Sequence, residues 1–230
     1  NIGKLLKLGH QVELHIHPHW LDAVYNSQQG IWDLSNNSKY KFSSLSSKEA
    51  EDCFDIAYKA LDQVCRKHQP DYKISCFRAG GLCIQPFDLF SPFLKKYNIK
   101  YECSVAPGIS SLSDSHSYNF SDFKHKEPYY FVNDISLKTS TGNFVECPIN
   151  TYQITFIDKL IKKVIKTEQE QVSIFGNGKA MPPGANGKQS LFTKFKPSTF
   201  LFSFDEPIDK KIMFQKLRKT NLQIVTIISH

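Results

Sequence analysis

The stretch Gln11-Val12-Glu13-Leu14-His15-Ile16-His17-Pro18-His19-Trp20 joins a strand pattern to three imidazoles. Val12, Leu14 and Ile16 fall on one side, while Gln11, Glu13, His15 and His17 fall on the other. That period is the mark of a half-buried strand. Pro18 has no amide hydrogen for a ladder, so the strand is expected to stop there. His15 then sits near the strand end and His19 four residues on, in the loop leaving it. Neutral imidazole is the commonest protein ligand for zinc-like cations, and two from one strand end can share an ion. A surface patch of histidines, or one histidine bonded in the core, would need no ion. Metal binding is the expectation this segment sets.

Further strand-like runs recur at 72–78, 99–105, 144–149, 199–205 and 222–229. Helical patterns lie between them, at roughly 86–97, 154–168 and 207–220 and most clearly at 47–68. In the last of these Ala50, Cys53, Phe54, Ala57, Leu61, Val64 and Cys65 form one stripe, the period of a surface helix. Ser46 followed by Glu49 has capping-box spacing. A short helix over Ile2 to Leu8, closed by Gly9, opens the chain. Strand and helix in alternation predict an α/β fold with parallel strands, either a barrel or an open sheet. Residues 106–143, rich in Ser, Asp, Tyr and Lys, are expected to form an inserted loop or hairpin. Residues 176–198, rich in Gly and Pro, are expected to form a binding loop or lid. Gly187-Lys188 ends like a phosphate loop, but Pro182 and Gln189 stand where that motif needs glycine and Ser or Thr.

The composition narrows the function. The chain has 230 residues, 40% hydrophobic and 22% charged, which suits a single globular domain, 1–230. No apolar run is long enough to span a membrane. The net charge of +7 comes from scattered lysines, which is no nucleic-acid footprint. Six cysteines without a C-x-x-C pair fit a reducing compartment, the cytoplasm.

Each strand, read to its C-terminal end, delivers polar groups: His15, His17 and His19; then Arg78-Ala79-Gly80-Gly81; then Asp205; then Ser229-His230. In barrels of parallel strands the catalytic groups gather at this face. The order His15-x-x-x-His19, Arg78-Ala79-Gly80-Gly81 and Ile228-Ser229-His230 resembles the polysaccharide deacetylase (NodB-homology) family. The lead-in from Gly9 to His15 is similar to that family's approach to its metal histidines. With His-Pro-His-Trp-Leu and Glu146-Cys147-Pro148, the chain looks closest to deacetylase-like proteins of bacterial surface-polysaccharide gene clusters.

The resemblance implies a distorted barrel of fewer than eight strand–helix units and one divalent metal, usually zinc. It implies removal of N-acetyl or other acyl groups from sugars of a surface polysaccharide or its precursor. Under it His15 and His19 are the metal ligands, Arg78 orients a catalytic aspartate, and His230 is the general acid. Asp205 tunes that acid, Ile228 lines the acyl pocket, and Trp20, Gly80 and Gly81 border the substrate. Trp32, Tyr40 and Phe42 join Trp20 as aromatic faces for sugar rings, or else serve as ordinary packing.

Two departures stand out. The family's first motif, a Thr-Phe-Asp-Asp-like strand, is absent; only 14 residues precede His15, and none is an aspartate. Gly80 replaces the third motif's usual proline. The first strand is therefore expected upstream of Asn1, and this chain is expected to bind metal poorly and turn over little substrate. Two rival readings remain. One is an amidohydrolase-type metal barrel using His15-x-His17 or His17-x-His19. The other is a degenerate barrel that binds carbohydrate without chemistry.

Overall fold

The computed structural model describes residues 2–113, 117–158, 197–203 and 210–228. It divides into two compact units, the first comprising Asn1–Val105, Ser110–Asn119 and Pro128–Pro148, and the second Ala106–Ile109, Phe120–Glu127 and Ile149–His230.

The first unit holds a five-stranded sheet in the order β1 (Leu14–Ile16), β4 (Cys76–Ala79), β5 (Tyr101–Glu102), β9 (Phe144–Glu146) and β8 (Tyr129–Phe131). The first four run parallel, and β8 closes the edge antiparallel to β9. Parallel neighbours need crossovers. The helix α2 (Ser47–His68) lies between β1 and β4 in sequence, and α3 (Ser91–Lys96) lies between β4 and β5.

Local signals place these elements where the sequence predicts them. Leu14 and Ile16 are buried and His15 is exposed, and the strand stops before a 3-10 turn at Pro18–Asp22. The capping box at α2 is complete: the Ser46 amide donates to Glu49 Oε2 at 2.9 Å, and the Glu49 amide donates to Ser46 Oγ at 3.3 Å. Behind the sheet, Phe54 of α2 packs against Phe77 of β4 and Phe93 of α3, with ring centroids 5.3 and 5.2 Å apart. Phe54, Phe77 and Phe90 are wholly buried, each stabilising the fold by about 1.5–3 kcal/mol. Helix α1 (Ile2–Lys7) packs against α2.

Two hairpins leave this sheet. The first joins β2 (Val24–Asn26) to β3 (Ile31–Asp33), and the second joins β6 (Ser110–Leu112) to β7 (Ser117–Asn119). The second falls inside the expected insertion, 106–143. That stretch is more than an insert, because it also supplies β8 to the main sheet.

The second unit pairs β10 (Thr151–Ile154) with β11 (Ser198–Leu201) antiparallel and includes α4 (Lys210–Arg218). Tyr152, Ile154, Phe202 and Met213 form its core. The apolar run 222–229 makes no ladder within its described part, only a parallel bridge from Ile228 to Ser203. The reason is local: the Asn150 side-chain oxygen accepts the Thr226 amide at 2.7 Å, taking a donor that a strand neighbour would need. Most of the expected helix 154–168 and most of the 176–198 stretch lie outside the described residues. Among the described residues no helix is long and apolar enough to cross a membrane.

Candidate metal and sugar site

The parallel register sets His15 opposite Arg78. His15 Nδ1 lies 2.9 Å from the Arg78 carbonyl oxygen. A carbonyl only accepts, so Nδ1 carries the hydrogen and Nε2 carries the lone pair. A metal-ligating histidine is typically held in this way, its second nitrogen fixed by a backbone carbonyl. His17 Nε2 approaches His15 Nε2 to 2.9 Å, so in this arrangement His17 donates the hydrogen that His15 accepts.

His19 continues the row. Its ring centroid is 5.4 Å from that of His17, and it stacks on Tyr40 at 4.8 Å with 19° between the planes. His19 is buried and its Nδ1 has no hydrogen-bond partner. Burial disfavours the charged imidazolium and lowers the His19 pKa. Burial likewise pushes the Tyr40 phenol up to about 12.

The glycine turn after β4 is shaped around these rings. A Cβ on Gly80 would stand 2.5 Å from the Ile16 carbonyl oxygen and 2.9 Å from His17 Nδ1. Gly81 adopts φ +59°, and its Cβ would meet Tyr40 at 2.5 Å. Only glycine fits both positions without displacement.

Beyond Arg78 the same sheet continues into thiols and carboxyls. Cys76 Sγ and Cys103 Sγ are 3.2 Å apart. The Arg78 side chain is partly buried, which lowers its pKa, while Cys103, Glu102 and Cys76 favour the charged form. The Ala79 amide donates to Ser104 Oγ at 2.8 Å, and Ser104 in turn donates to Glu102. Glu102 stands opposite Glu146 on β9. Sequence reading gave Glu102 no role, because nothing in a short apolar run marks one carboxyl as buried and paired.

The expected site residues therefore divide. His15, Arg78, Gly80 and Gly81 come together on one strand pair, with His17, His19 and Tyr40 above the turn. Trp20 is exposed, as is Trp32, whereas Tyr40 and Phe42 are buried packing. Ile228 is buried in the second unit, where its amide donates to the Phe202 carbonyl at 2.9 Å. Asp205 and His230 lie outside the described residues.

As donors, imidazoles suit zinc in kind, although here His15 Nε2 already accepts from His17 and His19 Nδ1 is buried. They fall short in number: among the described residues no three His, Cys, Asp or Glu side chains are arranged to hold a metal ion. No protein-family model, curated protein or solved structure matches this chain.

Proposed function

We propose that this protein is a metal-dependent hydrolase that removes N-acetyl or other acyl groups from sugars of a bacterial surface polysaccharide or its precursor. One observation carries the reading: at the end of a parallel strand the Arg78 carbonyl fixes the His15 tautomer, so that the lone pair an ion would take is the one on Nε2, which in this arrangement accepts from His17. In this reading His15 and His19 hold the ion, and a carboxylate completes the donor set. When bound, zinc supplies Lewis acidity toward the acyl carbonyl and toward water. Burial lowers the His19 pKa and so favours the neutral imidazole that a metal requires. Gly80 and Gly81 let the turn pack closely against the rings, with the Ile16 carbonyl, His17 and Tyr40 filling the space a side chain would take. The family resemblance gives proton donation to the departing amine to His230 and its tuning to Asp205, both outside the described residues.

The strand order is compatible with the expected distorted barrel and equally with an open sheet. From β1 through β4 and β5 to β9 it rises in one direction across the sheet, with no reversal of the kind that marks doubly wound folds.

One contact favours a second reading. His15 Nε2 and His17 Nε2 are 2.9 Å apart, the pairing an amidohydrolase-type His-x-His site would use. Zinc titration followed by nitrogen-15 NMR of the imidazoles separates the two. The deacylase reading expects His15 and His19 to shift together, at weak affinity. A joint shift of His15 and His17 with His19 unmoved supports the second reading, and no imidazole response overturns both.

A further inference from the structure

The hairpin β2–β3 follows directly from the 3-10 turn that carries His19. All six residues of its strands are exposed. Tyr25 and Trp32 stand directly opposite in register, their ring centroids 5.1 Å apart with 50° between planes. Trp32 is 62% exposed and Tyr25 52%. A two-stranded hairpin is marginal on its own in water, but this one is rooted. Asn26 Oδ1 accepts the Gln28 and Gln29 amides at 3.0 and 3.1 Å, closing the tip. At the base, Lys39 bridges Asp22 at 3.1 Å and Glu49 of α2 at 3.2 Å. The aromatic pair is thus held out to solvent by a fixed frame.

The surrounding chemistry selects the occupant. Residues 20–38 contain no Lys or Arg in a chain of net charge +7, and they carry Asp22 and Asp33. Phospholipid headgroups and nucleic acids need cations, which this segment withholds. The same segment is rich instead in amides, Asn26, Gln28, Gln29, Asn36 and Asn37, of which Asn26 closes the hairpin tip and Asn36 bonds Asp22 and Ser38. Amides that both donate and accept, beside exposed ring faces, match the hydroxyls and apolar faces of neutral sugars.

We propose that the β2–β3 hairpin is a stacking platform for a neutral, N-acylated sugar chain, with Tyr25 and Trp32 each receiving a pyranose ring. The acylated identity of the sugar rests on the hydrolase reading above; the stacking itself does not. The platform extends recognition beyond the single residue at the histidines, so the preferred substrate is an oligomer rather than a monosaccharide.

The test is calorimetric titration of the whole chain, in EDTA, with tetramers of N-acetylglucosamine and of N-acetylgalactosamine. Binding of at least one tetramer is expected. Trp32→Ala and Tyr25→Ala should each weaken it about tenfold, and Trp32→Phe should largely restore it. Unchanged melting by circular dichroism shows that the variants fold. No binding to either tetramer overturns the platform, as does binding that ignores Trp32. So does a wild-type dimer that Trp32→Ala dissociates, or Trp32-dependent adsorption to phosphatidylglycerol vesicles. Tetramer binding that survives His15→Ala, without zinc-dependent acetate release, keeps the platform and removes the hydrolase. Acetate release unaffected by Trp32→Ala does the reverse.

Discussion

Glu102 and Glu146 stand opposite each other across β5 and β9, and neither side chain has any exposure to solvent. Glu146 Oε2 is buried without a hydrogen-bond partner. Two ionised carboxylates cannot coexist there without an enormous desolvation penalty, so the pair keeps a proton. Burial raises the pKa of Glu102, and burial together with the Glu102 charge raises that of Glu146 well above the ordinary carboxyl value. Hydrogen bonds define the arrangement: the Ser104 amide donates to Glu102 at 2.9 Å and the Val105 amide to Glu146 Oε1 at 3.2 Å. Tyr129, opposite Glu146 on β8, and the Cys103 thiol complete the titratable surroundings.

This pair makes stability fall as pH rises. The native state holds a proton that the unfolded chain releases above about pH 4.3. Stability is therefore full below that value and declines through the window up to the raised native pKa. Glu146→Gln keeps a neutral hydrogen-bonding group and removes the titration. The variant should exceed wild type in stability at pH 8 by about 1–3 kcal/mol, with the gap closing near pH 4. Urea unfolding at pH 4.5, 6 and 8 reads this directly. Parallel profiles for the two proteins would show that no proton is shared.

The parts of the fold legible in the sequence are those written by neighbours in the chain. Alternation over 11–17 with Pro18 behind it, and Ser46 three residues before Glu49, each encode an element within a few residues. What escaped the sequence is written between strands. His15 meets the Arg78 carbonyl across 63 residues, and only the register of two parallel strands reveals it. Trp20, Trp32, Tyr40 and Phe42 read alike as aromatics, yet packing sends the last two inward and leaves the tryptophans in water. Glu102 and Glu146 were hidden for a related reason. Hydrophobic periodicity treats a carboxyl as a surface residue, and it has no means of recording that two carboxyls share a proton in the core.

His19 bends stability the other way. Burial lowers its pKa, so the native state refuses a proton that the unfolded chain accepts near pH 6.5. Its contribution is present above that pH and is lost as the pH falls toward the lowered native value. His19→Gln should flatten the profile below about pH 6.5 while leaving the Glu146-dependent decline intact. The two effects arise at separate sites and should add. Direct NMR titration should find the His19 imidazole titrating below the ordinary histidine value; a midpoint at or above that value would contradict the burial argument.

Gly80 and Gly81 predict a contrast that separates two kinds of crowding. A Cβ on Gly80 strikes the Ile16 carbonyl at 2.5 Å, which is backbone of the β1–β4 strand pair and cannot swing away. On Gly81 the obstacle is the Tyr40 ring at 2.5 Å, with the further strain of φ +59°. Gly80→Ala and Gly81→Ala should each destabilise the protein by about 1–3 kcal/mol in urea unfolding. Tyr40→Ala removes a stacked partner of His19 and destabilises alone, but it also empties the space that Gly81→Ala needs. The Gly81→Ala/Tyr40→Ala double variant should therefore lose less stability than the sum of its parts, by about 1 kcal/mol. Gly80→Ala/Tyr40→Ala should show no such relief. Equal coupling in both cycles would mean that the turn yields as one body, and that the histidine row is not held by the glycines beneath it.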